Sequence, residues 1–356
     1  ALPTFIPDAP NFMPRYPLLR ALYVEAQGAS LHKDQGRFAI RKGTRTLFEV
    51  PIIKVEHVII FGTAHVSTPA MKYCLTQNIP ITFLSSRGQY YGRLENPQYG
   101  QTHLHAKQFA HADDDAFQLA IAKTVIQTKI SNSCTLLLKV KRNRRRNNVS
   151  SAVTYAINTL KRIVEKVGMC ETRESLYGLE GQAAKVYFQA YASLFTDAMG
   201  FDGRNKQPPQ DPINSLLSFG YTLLFYNIYS LLRVNGLNPY VGNLHKMRDY
   251  SPSLASDLME EFRAPIVDRL VLTVVNKRII KEENFTYPNR ADTPCLLSAH
   301  ARRMFVQQFE KKMRTQTTHP HTGYAVDWRR CIQLQVQQYK RCLDNDELFY
   351  QGMTIR

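Results

Sequence analysis

At 356 residues, 44% of them hydrophobic and 21% charged, the chain has the balance of a soluble globular protein with room for two domains, each with its own core. Its charge is less ordinary: 46 Lys and Arg against 29 Asp and Glu leave +17 and a pI near 9.6, an excess that favours a polyanionic partner, nucleic acid before anionic membrane. Six scattered cysteines without a Cys-x-x-Cys pair exclude a disulfide frame and a zinc site, and read as reduced, packed thiols of a cytoplasmic protein.

Residues 1–19 hold five prolines and no periodic pattern, which predicts an extended arm. The arm, together with an N-terminal Ala where Met would stand, fits a domain cut from a longer polypeptide, for instance one carrying a reverse transcriptase. No basic start and apolar run mark a signal peptide. Residues 20–95 have β texture: ALYVEA, SLHK, RFAIRK, TLFEV, EHVIIF, ITFL and QYYGRL are short β-rich runs separated by Gly and charged turn residues. One helix interrupts them, from Ser67 to Gln77, with Pro69 in its first turn. Residues 96–102, with Asn96, Pro97 and Gly100, read as a linker. Over 103–356 apolar residues recur at three and four positions, predicting helices at Ala116–Ile130, Val149–Val167, Glu174–Phe195, Ile213–Val234, Ser253–Phe262, Pro265–Asn276, Leu297–Arg314 and Trp328–Leu343. Pro212–Leu232 is uncharged and long enough to span a bilayer. Its Asn, Ser, Thr and Tyr content with Gly220 suits a buried core helix better, so no membrane span is expected. The fold class expected is α+β: a small, mostly antiparallel β-domain followed by a larger all-α domain.

Lys139, Lys141, Arg142, Arg144, Arg145 and Arg146 fall within eight residues. Such a run is either a solvated helix end or a phosphate-binding surface, and Lys246 and Arg248 add to the same field. Among acidic residues, Glu180 lies in a stretch crowded with Gly178, Gly181, Ala183 and Ala184, small enough for close approach of a backbone or ligand; a surface glutamate beside Lys185 is the plainer alternative. His245 follows a Gly- and Pro-marked loop. Asp257 and Glu260 stand three apart and share one helix face, with Leu254, Leu258 and Phe262 on the buried side. Glu261, about 100° away, is expected to face solvent or a cation. The Asp257–Glu260 repulsion would be relieved by a metal ion, or by Arg263 or Lys246. One histidine with carboxylates suits Mg²⁺ or Mn²⁺ better than zinc. The His103/His105/His111 and His319/His321 groups lack matching partners, and Asp113–Asp115 reads as a solvated helix start.

In order along the chain, VEHVIIFGTAHVSTPAMKYC, IPITFLSSRGQYYGRL, YGLEGQAAKVYF, PPQDPINSLLSFGYTLL, GLNPYVGNLHK and SPSLASDLMEEFRAPIVDRLV resemble the CRISPR-associated adaptation integrase and endonuclease family (the Cas protein numbered one). The resemblance runs from about Ala21 to Val275 and is loose beyond Arg290; Ser256 and the loop Met247–Ser251 depart from the family pattern. It implies a β-domain that dimerises and a helical catalytic domain holding Mg²⁺ or Mn²⁺ through Glu180, His245 and Glu260, with Asp257 in support. It further implies joining of double-stranded DNA bearing 3′-hydroxyl ends to a CRISPR array by transesterification, accompanied by endonuclease activity. A homodimer assembled with a small ferredoxin-like partner (the Cas protein numbered two) is the expected complex. A branched-DNA nuclease without integration and a non-catalytic basic nucleic-acid-binding protein are the competing readings.

Overall fold

The computed structural model describes residues 20–85, 90–96, 101–143, 151–205, 208–287, 294–345 and 349–355. The Pro-rich arm and Arg144, Arg145 and Arg146 lie outside the described residues. The chain divides into two compact units, the first ending at Gly100 and the second beginning at Gln101.

The first unit runs β1 (Arg20–Val24), β2 (Ser30–Asp34), β3 (Arg37–Lys42), β4 (Arg45–Pro51), β5 (Val55–Phe61), β6 (His65–Val66), α1 (Thr68–Thr76), β7 (Ile81–Leu84) and β8 (Tyr90–Leu94). Gln35 and Gly36, both at positive φ, make the two-residue hairpin between β2 and β3. The strands form two four-stranded sheets, ordered β1-β5-β7-β8 and β4-β3-β2-β6. The expectation of a mostly antiparallel domain is corrected here, because β1/β5, β5/β7 and β2/β6 are parallel pairs. The physical reason is connectivity. Helix α1 lies on the crossover from β5 to β7, and a crossover brings the chain back in its original direction. β5 is paired on both sides and buried along most of its length, so its VIIF run is continuous and does not alternate. Leu22, Leu31, Phe38, Val58, Ile60 and Ile81 lie in the core of this unit.

The second unit is mostly helical: α2 (Thr102–Ala112), α3 (Asp115–Asn143), α4 (Ser151–Gly168), α5 (Arg173–Ala192), α6 (Pro212–Val234), α7 (Ser253–Phe262), α8 (Arg269–Asn276), α9 (Ala299–Met313) and α10 (Trp328–Asp344). It is not all-α. Two short antiparallel ladders, β9 (Phe285–Thr286) with β10 (Leu296–Leu297) and β11 (Gln316–Thr318) with β12 (Ala325–Asp327), sit between its C-terminal helices. α2 has no counterpart among the expected helices, because only Leu104 and Gln108 of its eleven residues are buried and its apolar pattern is faint. α3 runs thirteen residues past the expected Ile130. The apolar pattern breaks at Asn132 and Ser133, but both are buried and hydrogen-bonded, so the helix continues through them. The expected helix Pro265–Asn276 begins as a wide, π-helical turn over Arg263–Asp268, where Pro265 has no N–H to give the α ladder.

α6 alone among the described helices is long and apolar enough to cross a membrane, and 72% of its most apolar window is buried inside the unit. A Cβ at Gly220 would stand 2.6 Å from Val267, so this glycine lets α6 lie against the turn after α7. All six cysteines are free and buried.

Candidate active site

Helix α7 supplies the acids. It is covered on nearly every side, leaving Asp257 at 0%, Glu260 at 4% and Glu261 at 0% exposure. An ionised carboxylate in such a place requires a partner, and the three find different ones.

Asp257 is satisfied by the loop before the helix. The N–H groups of Asn243 and Leu244 donate to Oδ2 at 2.6 and 2.9 Å, and the His245 N–H donates to Oδ1 at 3.0 Å. Gly242 permits this: a Cβ there would lie 2.7 Å from both Asp257 Oδ2 and the Ser253 backbone. Asp257 also accepts from His245 Nδ1 at 2.6 Å. The carboxylate can only accept, so the proton sits on Nδ1 and the lone pair of Nε2 is free to ligate. That hydrogen bond raises the His245 pKa; burial opposes it, and the charges of Asp257 and Glu260 reinforce it. The imidazole remains 45% exposed.

Glu260 is satisfied by cations. Arg263 approaches Oε1 at 2.9 Å and Lys129 of α3 approaches Oε2 at 2.8 Å. Burial alone would raise this carboxyl; Arg263 and then Lys129 overcome it and hold the pKa at about 2. The same Lys129 Nζ lies 2.5 Å from Oε1 of Glu180 on α5. Two carboxylates from separate helices thus converge on one ammonium. Burial would lower the Lys129 pKa, yet Glu260 and Glu180 raise it. Behind the group, Arg263 lies 4.7 Å from the centre of the Tyr221 ring. Tyr221 and Tyr187 donate to the buried Asp268 at 2.6 and 2.8 Å.

The sequence-derived site is therefore partly assembled and partly corrected. Glu180 and Glu260 come together, and His245 sits beside Asp257, within reach of the Glu260 charge. The cation of Glu180 is Lys129, not Lys185. Among the described residues, Cβ atoms at Gly178 and Gly181 would meet open space. Asp257 and Glu260 have separate partners: loop N–H groups and His245 for the first, Arg263, one of the two cations the sequence offered, and Lys129 for the second. Glu261 faces neither solvent nor a cation. It accepts from Tyr350 Oη at 2.5 Å, Met353 N at 2.8 Å and Gln335 Nε2 at 3.1 Å, and burial pushes its pKa up to about 7 despite them. Lys129 was the residue missed. Its signal was present, since it shares an α3 face with the buried Ala122, Val125, Ile126 and Ser133.

Among the described residues, no three His, Cys, Asp or Glu side chains form a ready metal cage. The donor set nevertheless fits a hard divalent cation. Glu260 takes cations at both oxygens, Arg263 at Oε1 and Lys129 at Oε2, Glu180 offers a second carboxylate at the same ammonium, and His245 keeps Nε2 open. The Lys129 ammonium occupies the cationic position between the two carboxylates.

Lys139, Lys141 and Arg142 lie in the last turns of α3, ten or more residues or roughly 15 Å along the helix from Lys129. Lys312 joins this basic end. It lies 4.8 Å over the Trp328 ring, and burial, then Arg269 and Lys139, lower its pKa to about 7. Lys246 and Arg248 are exposed on the loop after His245. A cleft of about 540 Å³ opens beside His245, walled by Gln118, Arg173, Glu174, Gly242 and Lys246 among others. Of the remaining histidines, His111 stacks on Phe117, the buried His319 bonds Gln335 and His321 bonds the Gly352 carbonyl. Asp114 caps α3, accepting from Ala116 and Phe117.

Residues 22–311 match the family described as CRISPR associated protein Cas1. A CRISPR-associated endonuclease Cas1 of Thermus thermophilus is 32% identical over 94% of this chain and 97% of its own length. A Cas4 exonuclease/Cas1 endonuclease fusion of Rhodospirillum rubrum is 33% identical over 91% of this chain, which spans only 56% of the fusion. A chain of a Cas6–RT–Cas1–Cas2 complex superposes with TM-score 0.78 at 25% identity, over 94% of this chain and 36% of that one. A Cas1 protein of Thermotoga maritima (TM-score 0.78, 24% identity, 93% of this chain and 99% of that one) and a casposase bound to integration product (0.78, 21%, 94% and 93%) share the fold. From the family match and from relatives aligned along more than nine-tenths of its length, the chain belongs to the CRISPR-associated Cas1 family.

Proposed function

We propose that the chain is a metal-dependent DNA integrase of CRISPR adaptation, with endonuclease activity at the same site. The observation that supports it most is the convergence of Glu180 and Glu260 on one cationic position, with His245 close enough to feel the Glu260 charge and already held by Asp257 in its ligating tautomer. Mg²⁺ or Mn²⁺ held there by Glu180, His245 and Glu260 would polarise a DNA phosphate and activate a 3′-hydroxyl, or a water, for in-line attack. The protein's own part is placement. α5 and α7 present the carboxylates, the Gly242 turn delivers His245, and Arg263 keeps Glu260 ionised in its buried position. His245 ligates only when neutral, so activity should fall as pH drops through its raised pKa.

DNA is the substrate this reading assigns, taken up by Lys139, Lys141, Arg142, Lys246 and Arg248, and by Arg144–Arg146 beyond the described residues. The endonuclease relatives and the casposase on its integration product support both outcomes of the chemistry. The Cas1–Cas2 complex supports a small partner of the second type. Homodimerisation through the β-unit belongs to the same proposal; Leu47 and Phe48 of β4 and nearby Ile53 are 42, 53 and 71% exposed. A cytoplasmic setting accords with six unpaired thiols. The second reading, a nuclease without integration, is favoured by the endonuclease names of the relatives.

Strand transfer separates the two. Labelled duplex with free 3′-hydroxyls is incubated with a supercoiled CRISPR-array plasmid, the small partner and Mn²⁺. Wild type should form joined product, and Glu180→Ala, His245→Ala and Glu260→Ala should each reduce it by about 100-fold or more. Nicking without joining would favour the nuclease, and joining that survives all three substitutions would misplace the site.

A further inference from the structure

Eight residues after Glu260, at the end of the wide turn Arg263–Asp268, Asp268 lies buried at 2% exposure. Its partners are phenols. Tyr187 of α5 donates to Oδ2 at 2.8 Å and Tyr221 of α6 to Oδ1 at 2.6 Å. Tyr191, one turn further along α5, donates to the Asp268 carbonyl at 2.7 Å. All three tyrosines are buried. A core has no need of this, since phenylalanines around an apolar side chain would pack without taking a carboxylate and three hydroxyls out of water. What the polar group adds is direction, because a hydrogen bond fixes distance and angle where apolar contact tolerates sliding.

The bonds join the two segments that carry the acids of the site. Tyr187 stands seven residues, or about two helical turns, after Glu180 and so on the same face of α5. Asp268 continues from α7, the helix of Glu260, through the π-helical turn, a distortion that recurs at functional sites. Arg263 completes the link: its guanidinium rests on the Tyr221 ring at 4.7 Å and meets Glu260 Oε1 at 2.9 Å. A cavity of about 40 Å³ lies among these groups, with Glu180, Tyr187, Arg263 and Asp268 in its lining. It has room for water and none for a nucleotide, so the cluster serves the site from behind and takes no substrate itself.

We propose that Asp268 is a positioning residue of the metal site, holding α5 against the turn after α7 so that Glu180 and Glu260 reach one ion together. Carboxylates on separate helices share an ion only when each is placed to within about 0.5 Å. The inference rests on the metal-dependent reading above and assigns part of the ion's geometry to a residue that supplies it no ligand.

The test is Mn²⁺ binding by the full chain, read by electron paramagnetic resonance, beside thermal melting and the rate and KM of DNA joining or nicking. Tyr187→Phe removes one hydroxyl and keeps the ring. It should weaken Mn²⁺ binding about tenfold and slow the reaction to a similar degree at saturating DNA, with KM for DNA unchanged. In a Glu180→Gln background the same change should weaken Mn²⁺ binding by about twofold at most, because it acts through Glu180. Asp268→Asn, which keeps the shape, should weaken binding at least as much as Tyr187→Phe. Tyr155→Phe, at an exposed ring of α4, should alter none of these. A Tyr187→Phe protein that melts earlier but binds Mn²⁺ and reacts as wild type does would overturn the proposal. Equal losses in the wild-type and Glu180→Gln backgrounds would do the same, and either result leaves the metal-dependent reading standing. A wild type that binds no Mn²⁺ removes that reading and the proposal with it.

Discussion

Glu260 and Glu261 are neighbours on one helix, both buried, and the protein handles them in opposite ways. On one side of α7, Lys129 and Arg263 surround Glu260 with positive charge and hold it at about 2. On the other, Tyr350, Gln335 and the Met353 N–H offer Glu261 only neutral donors, and it rises to about 7. Burial pushes both carboxyls up; what differs is whether a full charge opposes it. On the function proposed above, the cationic side would exchange an ammonium for a metal ion. The neutral side is closed by residues 349–355, which tie the end of the chain to α7 and, through Asn132, to α3. The site helix thus has a chemical face and a structural face, one residue apart.

The largest expected effect is a pair of opposed pH dependences in stability. Glu261 keeps its proton in the folded state after the unfolded chain has lost it, so stability should decline by about 3 kcal/mol as pH rises from about 4.5 to about 7. Glu260 stays ionised when folded after the unfolded chain has taken up its proton, so a similar amount, about 3 kcal/mol, should be lost as pH falls from about 4.5 to about 2. Denaturant melts across pH should show Glu261→Gln flattening the neutral limb and Glu260→Gln the acid limb. If the two variants flatten the same limb, the contrast is wrong.

Next is the support of His245. Asp257→Asn should lower strand joining roughly 10- to 100-fold, as loss of a ligand-orienting carboxylate does. It should also move the acid fall-off to lower pH, because the hydrogen bond that raises His245 is weakened. An unchanged pH profile would separate His245 from the chemistry.

The smallest effect sharpens the cationic side. Lys129→Met removes the ammonium competing for Glu180 and Glu260, so Mn²⁺ affinity by calorimetry should rise about tenfold. Weaker binding would make Lys129 a component of the metal site and not its competitor.

Much of this was legible along the chain. The helix Ser253–Phe262 was bounded to the residue, because its apolar positions repeat at helical spacing and Pro252 precedes them. Glu180, His245, Asp257 and Glu260 were singled out as candidates through the family resemblance, and the structure pairs Glu180 with Glu260 and His245 with Asp257. Other features were hidden by their nature. The parallel strands of the β-unit depend on where α1 returns the chain, which local alternation does not encode. The length of α3 was masked by two buried polar residues, Asn132, whose partners come from α7 and residues 353–355, and Ser133, which donates to Lys129 O one turn back in the helix.

By itself, then, the sequence determined the α+β order and the basic charge, and through the family resemblance it named the candidate acids, because composition, periodicity and motifs are properties of neighbours in the chain. Only the tertiary structure decided which cation answers which acid. Lys129 reaches Glu180 and Glu260 across 51 and 131 positions, and Tyr350 reaches Glu261 across 89. A carboxyl's charge state is set by what lies within a few ångströms in space, and the sequence measures a different distance.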